Sequence, residues 1–247
     1  MLKKIIKLTL PNSAFQALAR VKSKYFDKYY QKSYSQEGED MVLKRLFENQ
    51  KVGFYVDVGA HHPKRFSNTY FFYKQGWRGV NIDAMPDSML LFKKTRPRDI
   101  NIEKPVSDRK QVLTYYAFNE PALNGFSKEI SAERDGRNDY YLEFTKDIET
   151  STLEEILDSN LPENQTIDFL SIDVEGLDLE VLKSNNFNRH RPKVILVEVL
   201  GSKFCDIEEG EIAKLLMKHN YAVYAKTIFT VIFIDNDYYD EKFAKLN

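Results

Sequence analysis

The stretch Gly53–Pro63, GFYVDVGAHHP, decides the fold. An apolar run stops at Asp57 and Gly59, and two histidines and a proline follow. A buried strand that ends in a glycine loop and leads into a helix is how an open α/β sheet makes a ligand crevice. Gly59 has no Cβ and so permits a tight turn or the close approach of a ligand. Asp57 stands where a carboxylate accepts hydrogen bonds at the carboxyl end of the strand. The loop lacks the full GxGxxG spacing of a dinucleotide site and has no Walker lysine, so a plain tight turn remains the alternative at this point.

Outward from this stretch, the pattern repeats. Tyr34–Phe47 begins polar and becomes helical, with Met41, Leu43, Leu46 and Phe47 on an apolar side. Gln36 or Glu37 can cap the crevice from this segment. After the glycine turn, Ser67-Asn68 starts a helix carrying Tyr70, Phe71 and Tyr73, which ends at Gly76-Trp77. Gly79–Asp83, GVNID, reads as the second strand and delivers Asp83 beside the glycine turn. A carboxylate there can accept both hydroxyls of a nucleoside ribose. A short helix from Met85-Pro86 through Phe92 ends at Arg96-Pro97, Asp99–Ser107 holds a third strand, and Val112–Phe118 a further one. Residues 119–146 are polar, mixed and too long for an ordinary connector, which predicts a lid or substrate loop; a solvated insertion is the alternative.

The second half completes the sheet. Ser151 with Glu154 three residues on predicts a capping box. Ile167–Ile172 is an apolar strand that ends in Asp173, Glu175 and Gly176, and Val194–Val199 is another with Glu198 embedded in it. An amphipathic helix over Glu208–Asn220 precedes a terminal hairpin of Tyr221–Ala225 and Ile228–Ile234. Repeated βα units predict an α/β domain with a predominantly parallel sheet, and the hairpin an antiparallel edge strand. The Asp173–Glu175 loop places two carboxylates together. They suit a basic substrate group, a divalent metal or a hydroxyl being deprotonated, and spacing alone does not choose. His61 and His62 titrate near neutrality and are candidate bases.

Composition sets the outer bounds. A chain of 247 residues holds one sizeable core, so residues 34–247 read as one domain. A formal charge of -1 gives no global field to recruit nucleic acid. Cys205 is the single cysteine, which excludes an internal disulfide and makes a reducing, cytoplasmic setting the default. Residues 1–33 form a basic N-terminal extension expected to be helical. Its start, MLKKIIKLTL, is too short and too charged to span a bilayer. Docking on the domain, peripheral contact with the inner face of a membrane or a lipid-linked substrate, and a loose tail are its three readings.

Taken together, SQEGED (35–40), VDVGAHHP (56–63), SNT (67–69), GWRGVNID (76–83), STLEEIL (151–157), IDFLSIDVEG (167–176) and VILVEV (194–199) resemble the FkbM-like S-adenosylmethionine-dependent methyltransferases. The resemblance implies a Rossmann-like class I methyltransferase fold with a seven-stranded sheet. It implies S-adenosyl-L-methionine as cofactor, the glycine turn on its methionine part, Asp83 on its ribose and Asp173 beside its methyl group. The candidate cofactor-binding residues are then Gln36, Glu37, Asp57, Gly59, Ala60, Asn68, Asp83, Ala84, Ser107 and Asp173. His61, His62, Asp173 and Glu175 are the candidate catalytic residues, with Asp173 and Glu175 also the candidate metal ligands. HHPKRFS replaces the DGxxS-like continuation common in the family, and aspartate replaces glutamate at the ribose position. The implied activity is O-methylation of a saccharide or glycan intermediate. The alternatives are another small metabolite as acceptor, or a non-catalytic domain that binds the cofactor.

Overall fold

A computed structural model describes residues 30–244, together with Pro11, Ser13, Ala14, Gln16 and Arg20. Contacts group the chain into Met1–Ser33 and Tyr34–Asn247. In the first unit Ser13, Ala14, Gln16 and Arg20 are helical. The membrane-contact reading of Met1–Leu10 concerns residues outside those described. Among the described residues no helix is long and apolar enough to cross a membrane.

The second unit is a mixed α/β domain. Its elements are α1 (Glu39–Leu46), β1 (Phe54–Val58), α2 (Tyr70–Lys74), β2 (Arg78–Asp83), α3 (Ser88–Thr95) and β3 (Ile100–Glu103). A hairpin follows, β4 (Val112–Phe118) and β5 (Leu142–Glu149), with a 3-10 turn at Pro121–Leu123 and α4 (Lys128–Arg134) between its strands. The chain continues as α5 (Leu153–Asn160), β6 (Phe169–Ile172), α6 (Asp178–Lys183), β7 (Val194–Glu198), a 3-10 turn at Phe204–Glu209 and α7 (Glu211–Lys218). It ends with β8 (Tyr221–Lys226), β9 (Thr230–Asp235) and α8 (Asn236–Phe243).

Seven strands form one sheet in the order β3-β2-β1-β6-β7-β9-β8. Strands β3, β2, β1, β6 and β7 pair in parallel. Strand β9 is antiparallel to both β7 and β8. The reversed strand is therefore second from the edge, and the expected antiparallel edge is corrected: the edge strand β8 runs with the parallel set. Burial explains the choice. Five of the six residues of β9 (TVIFID) are buried, whereas β8 (YAVYAK) is mostly half-exposed, so the more apolar strand takes the interior position.

Every residue of β1 is buried because both faces of the sheet are covered. Phe54, Val56 and Val58 point into a core shared with Leu153, Ile156 and Leu157 of α5, Val181 and Leu182 of α6 and Leu216 of α7. Tyr55 points the other way, into a core with Leu43 and Leu46 of α1, Phe72 of α2 and Trp77. Alternation along the strand thus feeds two layers of helices from one short run. Each fully buried aliphatic side chain contributes about 1.5–3 kcal/mol.

One local reading changes. Thr152, not Ser151, caps α5: its hydroxyl accepts from the amide of Glu155 at 3.2 Å. Ser151 is occupied in a bridge to Val106, its amide donating to Pro105 O and its carbonyl accepting from Ser107 N, each at 3.0 Å. Among the described residues strand β4 does not join the main sheet; it pairs with β5 in a second sheet of two strands. Segment 119–146 is accordingly built of a 3-10 turn, a helix and most of a strand.

Candidate functional site

A cavity of about 370 Å³ opens at the carboxyl ends of β1, β2, β6 and β7, lined there by Val58, Asp83, Asp173 and Glu198. Its floor is the glycine turn. Gly59 has φ +79°, and a Cβ on it would stand 1.7 Å from the carbonyl oxygen of Asp173. The turn and the acidic loop after β6 therefore touch backbone to backbone, which only glycine allows. The amides of Gly59 and Ala60 donate to Ile82 O (2.9 and 3.1 Å), and Asp173 N donates to Val58 O (3.0 Å). Three strand ends are thus fixed together.

Asp83 sits on the neighbouring wall. Its Oδ2 accepts from His61 N at 2.7 Å and its Oδ1 from Met85 N at 2.8 Å. Each oxygen keeps a second lone pair for a ligand. Burial pushes its carboxyl up to about 6, against the two amides that lower it. Asp57 is more deeply buried, accepts from Thr69 Oγ1 at 2.7 Å, and is raised by desolvation. Asn68 lines the cavity, its Nδ2 donating to Ser171 Oγ at 3.0 Å.

The two imidazoles separate. His61 lines the cavity, has φ +50°, and lies against Phe66 with ring centroids 6.4 Å apart. Desolvation and then Arg65 lower its pKa, which favours the neutral ring that can accept a proton. His62 does not line the cavity. Its Nδ1 accepts from the amides of Lys64 (3.0 Å) and Arg65 (2.9 Å), capping the loop. A proton on that nitrogen would displace both bonds.

On the opposite wall, carboxylate oxygens of Asp173, Glu175 and Glu198 lie within 4.8 Å of one another. Asp173 is open to the cavity yet enclosed by protein elsewhere. Burial raises it well above the carboxylate range, and Glu198 and Glu175 add to the rise. Glu198 is pushed up to about 8, first by burial and then by Glu175 and Asp178. Asp173 and Glu198 are thus biased toward their protonated forms and can donate to a hydroxyl as well as accept from one. Glu175 has φ +53° and pairs with Arg134 Nη2 at 2.6 Å. Asp178, at the start of α6, accepts from Val174 N (3.2 Å) and Gly176 N (3.3 Å) and so holds the loop's shape.

Of the remaining residues named from sequence, Gln36, Ala60 and Ala84 line the cavity, whereas Glu37 and Ser107 do not. Glu37 stands behind the wall, its Oε2 accepting from the amide of the lining residue Phe229 at 3.0 Å. Ser107 is buried at the base of the β4–β5 insertion; its neighbour Val106 lines the cavity instead. Sequence reading gave residues 119–146 as a lid or substrate loop but named none of the residues with which the insertion lines the cavity: Tyr115, Leu123, Asn124, Gly125, Phe126 and Arg134. Their signal was a polar, aperiodic stretch, which shows that a loop exists but not where it folds back. Gly125 pairs with Tyr116 through two backbone bonds (2.9 and 3.2 Å), and this pairing turns the segment inward.

The cavity can hold an adenosyl cofactor: a carboxylate with two free lone pairs, a glycine turn in direct backbone contact with the next loop, and an acidic wall opposite. A search of curated proteins finds no match. Two solved structures among those that match are a TehB-like SAM-dependent methyltransferase from Corynebacterium glutamicum and a protein assigned as a type 11 methyltransferase from Sulfolobus solfataricus. The first is 10% identical with a TM-score of 0.40, covering 91% of this chain and 100% of its own. The second is 11% identical with a TM-score of 0.42, covering 82% of this chain and 94% of its own. The family description "Methyltransferase FkbM domain" matches residues 57–223, more than half of the 247 residues and every strand end that frames the cavity. On that match the chain belongs to the FkbM methyltransferase-domain family.

Proposed function

We propose that this protein transfers a methyl group from S-adenosylmethionine to a hydroxyl oxygen of a saccharide or glycan intermediate, on a class I methyltransferase fold. The observation that carries the proposal is the placement of Asp83, whose two oxygens each spend one lone pair on a backbone amide and keep the other for the cavity. Ribose hydroxyls are the matching donor pair. S-adenosylmethionine supplies an electrophilic methyl carbon on a sulfonium sulfur. Against it the chain has to hold one acceptor oxygen in line, and such positioning supplies much of the lowering of the barrier.

In this reading Gly59 and Ala60 line the turn under the cofactor's amino-acid part, and His61 takes the proton from the acceptor hydroxyl. The carboxyl groups of Asp173, Glu175 and Glu198 bind the neighbouring hydroxyls. Such alternating donors and acceptors, with the half-exposed rings of Phe66 and Phe229 at the rim, suit a polyol with apolar C–H faces. The convergence of three carboxylates favours one further version, in which Asp173, Glu175 and Glu198 would hold a divalent ion that would supply Lewis-acid activation of the hydroxyl.

Isotopically labelled S-adenosylmethionine with a panel of saccharide acceptors, read by mass spectrometry, tests the activity. Formation of S-adenosylhomocysteine with a labelled sugar is the expected result; binding without turnover would leave a non-catalytic cofactor-binding domain. Asp83→Ala is expected to weaken cofactor binding by about 1–3 kcal/mol, the cost of leaving hydrogen-bonding groups unpaired. Affinity in the parental protein should also fall as pH drops through about 6, where Asp83 takes up a proton and loses an acceptor site. Calorimetry at pH 5 and pH 8 checks both, and an Asp83→Ala protein that is folded and binds as tightly as the parent refutes the ribose assignment.

The catalytic assignment is tested by single-turnover rates of His61→Ala, His62→Ala, Asp173→Asn, Glu175→Gln and Glu198→Gln. We expect His61→Ala to lose about 10²–10⁴-fold in transfer with cofactor affinity retained. His62→Ala should mainly lower stability, because its ring nitrogen caps a turn. A parental rate in His61→Ala, together with loss in the acidic variants and on chelation, would move the activation step to a metal.

A further inference from the structure

Segment 119–134 is tied to both loops that carry the candidate site. At one end Glu120 pairs with Arg65, in the loop that follows the glycine turn, at 3.4 Å. At the other Arg134 closes α4 and reaches the acidic loop, its Nη2 donating to Glu175 Oε2 at 2.6 Å. The same guanidinium donates through Nη1 to Leu123 O at 3.0 Å. One planar fork thus joins the cavity wall at Leu123 to a candidate catalytic carboxylate. Close packing follows the same line: a Cβ on Gly125 would lie 3.2 Å from Glu175 Cβ, and one on Gly176 3.2 Å from Ile130 Cδ1.

Glu175 needs such a partner. Its backbone is in the left-handed region, which a β-carbon disfavours, and its carboxylate faces two others within 4.8 Å. Arg134 is its ion-pair partner among the described residues. Asp178 fixes the backbone on either side through Val174 N and Gly176 N. Lys104 is the other Lys or Arg lining the cavity among the described residues, and its amide donates to Asp83 O on the far wall.

We propose that Arg134 is a positioning residue: it holds the Glu175 carboxylate toward Asp173 and Glu198 and locks the Leu123–Phe126 wall over the acceptor. The proposal rests on the methyl-transfer reading for its effect on rate, and on the fork alone for its effect on the wall. A lysine keeps the charge but lacks a rigid pair of donors aimed in two directions, so it cannot replace the fork.

The test compares Arg134→Gln, Arg134→Lys and the exchanged pair Arg134→Glu/Glu175→Arg in the full chain. Three quantities are read: amide hydrogen exchange of residues 121–126, cofactor Kd by calorimetry, and kcat and KM for the acceptor. Arg134→Gln should exchange at least about tenfold faster at 121–126 and lose at least about tenfold in kcat, with cofactor Kd within about twofold. Arg134→Lys should fall between it and the parent. The exchanged pair should restore neither protection nor kcat, because a carboxylate at position 134 cannot donate to Leu123 O and position 175 no longer presents a carboxylate. Unchanged protection in Arg134→Gln overturns the proposal. So does a parental kcat in a chain whose wall has loosened. If the parental chain transfers no methyl to any acceptor, the functional reading fails, while exchange at 121–126 still decides whether Arg134 locks the wall.

Discussion

Replacing Gly59 by alanine is expected to cost about 2–5 kcal/mol of folding stability. About 1–2 of this comes from forcing a side chain into left-handed backbone and about 1–3 from parting close-packed neighbours. The neighbour in this case is the backbone carbonyl of Asp173, 1.7 Å from where the new methyl group would stand, and not the far end of a flexible side chain. Relief requires the acidic loop to move as a body. That would weaken the Asp173 N to Val58 O bond and displace the cavity's acidic wall from its glycine floor. Urea unfolding should show a lower midpoint with an unchanged slope, and cofactor binding should fall in the same protein. A Gly59→Ala protein with the parental midpoint would mean that the two loops are not in contact in solution.

Arg96→Met is expected to cost about 3–5 kcal/mol, the range for removing one member of a buried charged network. Arg96 is fully buried and donates to Pro63 O (2.9 Å), Thr69 Oγ1 (2.7 Å), Asn81 Oδ1 (3.0 Å) and Ser67 Oγ (2.6 Å). Asp99 Oδ2 lies 3.9 Å from it, and the rings of Tyr70 and Phe92 flank it at 5.3 and 5.4 Å. Methionine keeps the stem and loses every donor. Asp57 and Asp99, both already raised chiefly by burial, would also lose the cation that partly counters the rise. The double variant Arg96→Met/Asp99→Asn should recover part of the loss, since it removes one stranded carboxylate. Thermal and urea unfolding of the single and double variants check this. A single variant within about 1 kcal/mol of the parent would show that water replaces the guanidinium.

These two residues differ in how far the sequence could foretell them. Gly59 was legible because a buried run that stops at a glycine has few structural meanings. Asp83 and the Asp173–Glu175 loop followed from the same strand-then-loop rhythm. Arg96 was legible only as the residue before Pro97, where a helix ends; arginine is so seldom buried that sequence gives no cue to its real place. The reversed strand was foreseen, but not its position, because period alone ranks neither strand of a hairpin as the inner one. The insertion's wall depends on pairings such as Tyr116 with Gly125, which couple residues inside an aperiodic stretch and leave no pattern to read.

The insertion also leaves and rejoins the domain at one place. Val106 bridges Ser151, and Ser107 N donates to Ser151 O. Thr150 N donates to Gln111 O at 2.8 Å, and Thr150 Oγ1 accepts from Gln111 N at 3.1 Å. Residues 108–150 are therefore a closed excursion whose two feet stand side by side on the scaffold. Its length and composition can change without re-threading a single strand of the main sheet, while what it presents to the cavity changes completely. In the proposed reading the strand ends of the sheet hold the cofactor while the insertion closes the cavity beside the acceptor, so a changed insertion would alter acceptor choice without disturbing the sheet.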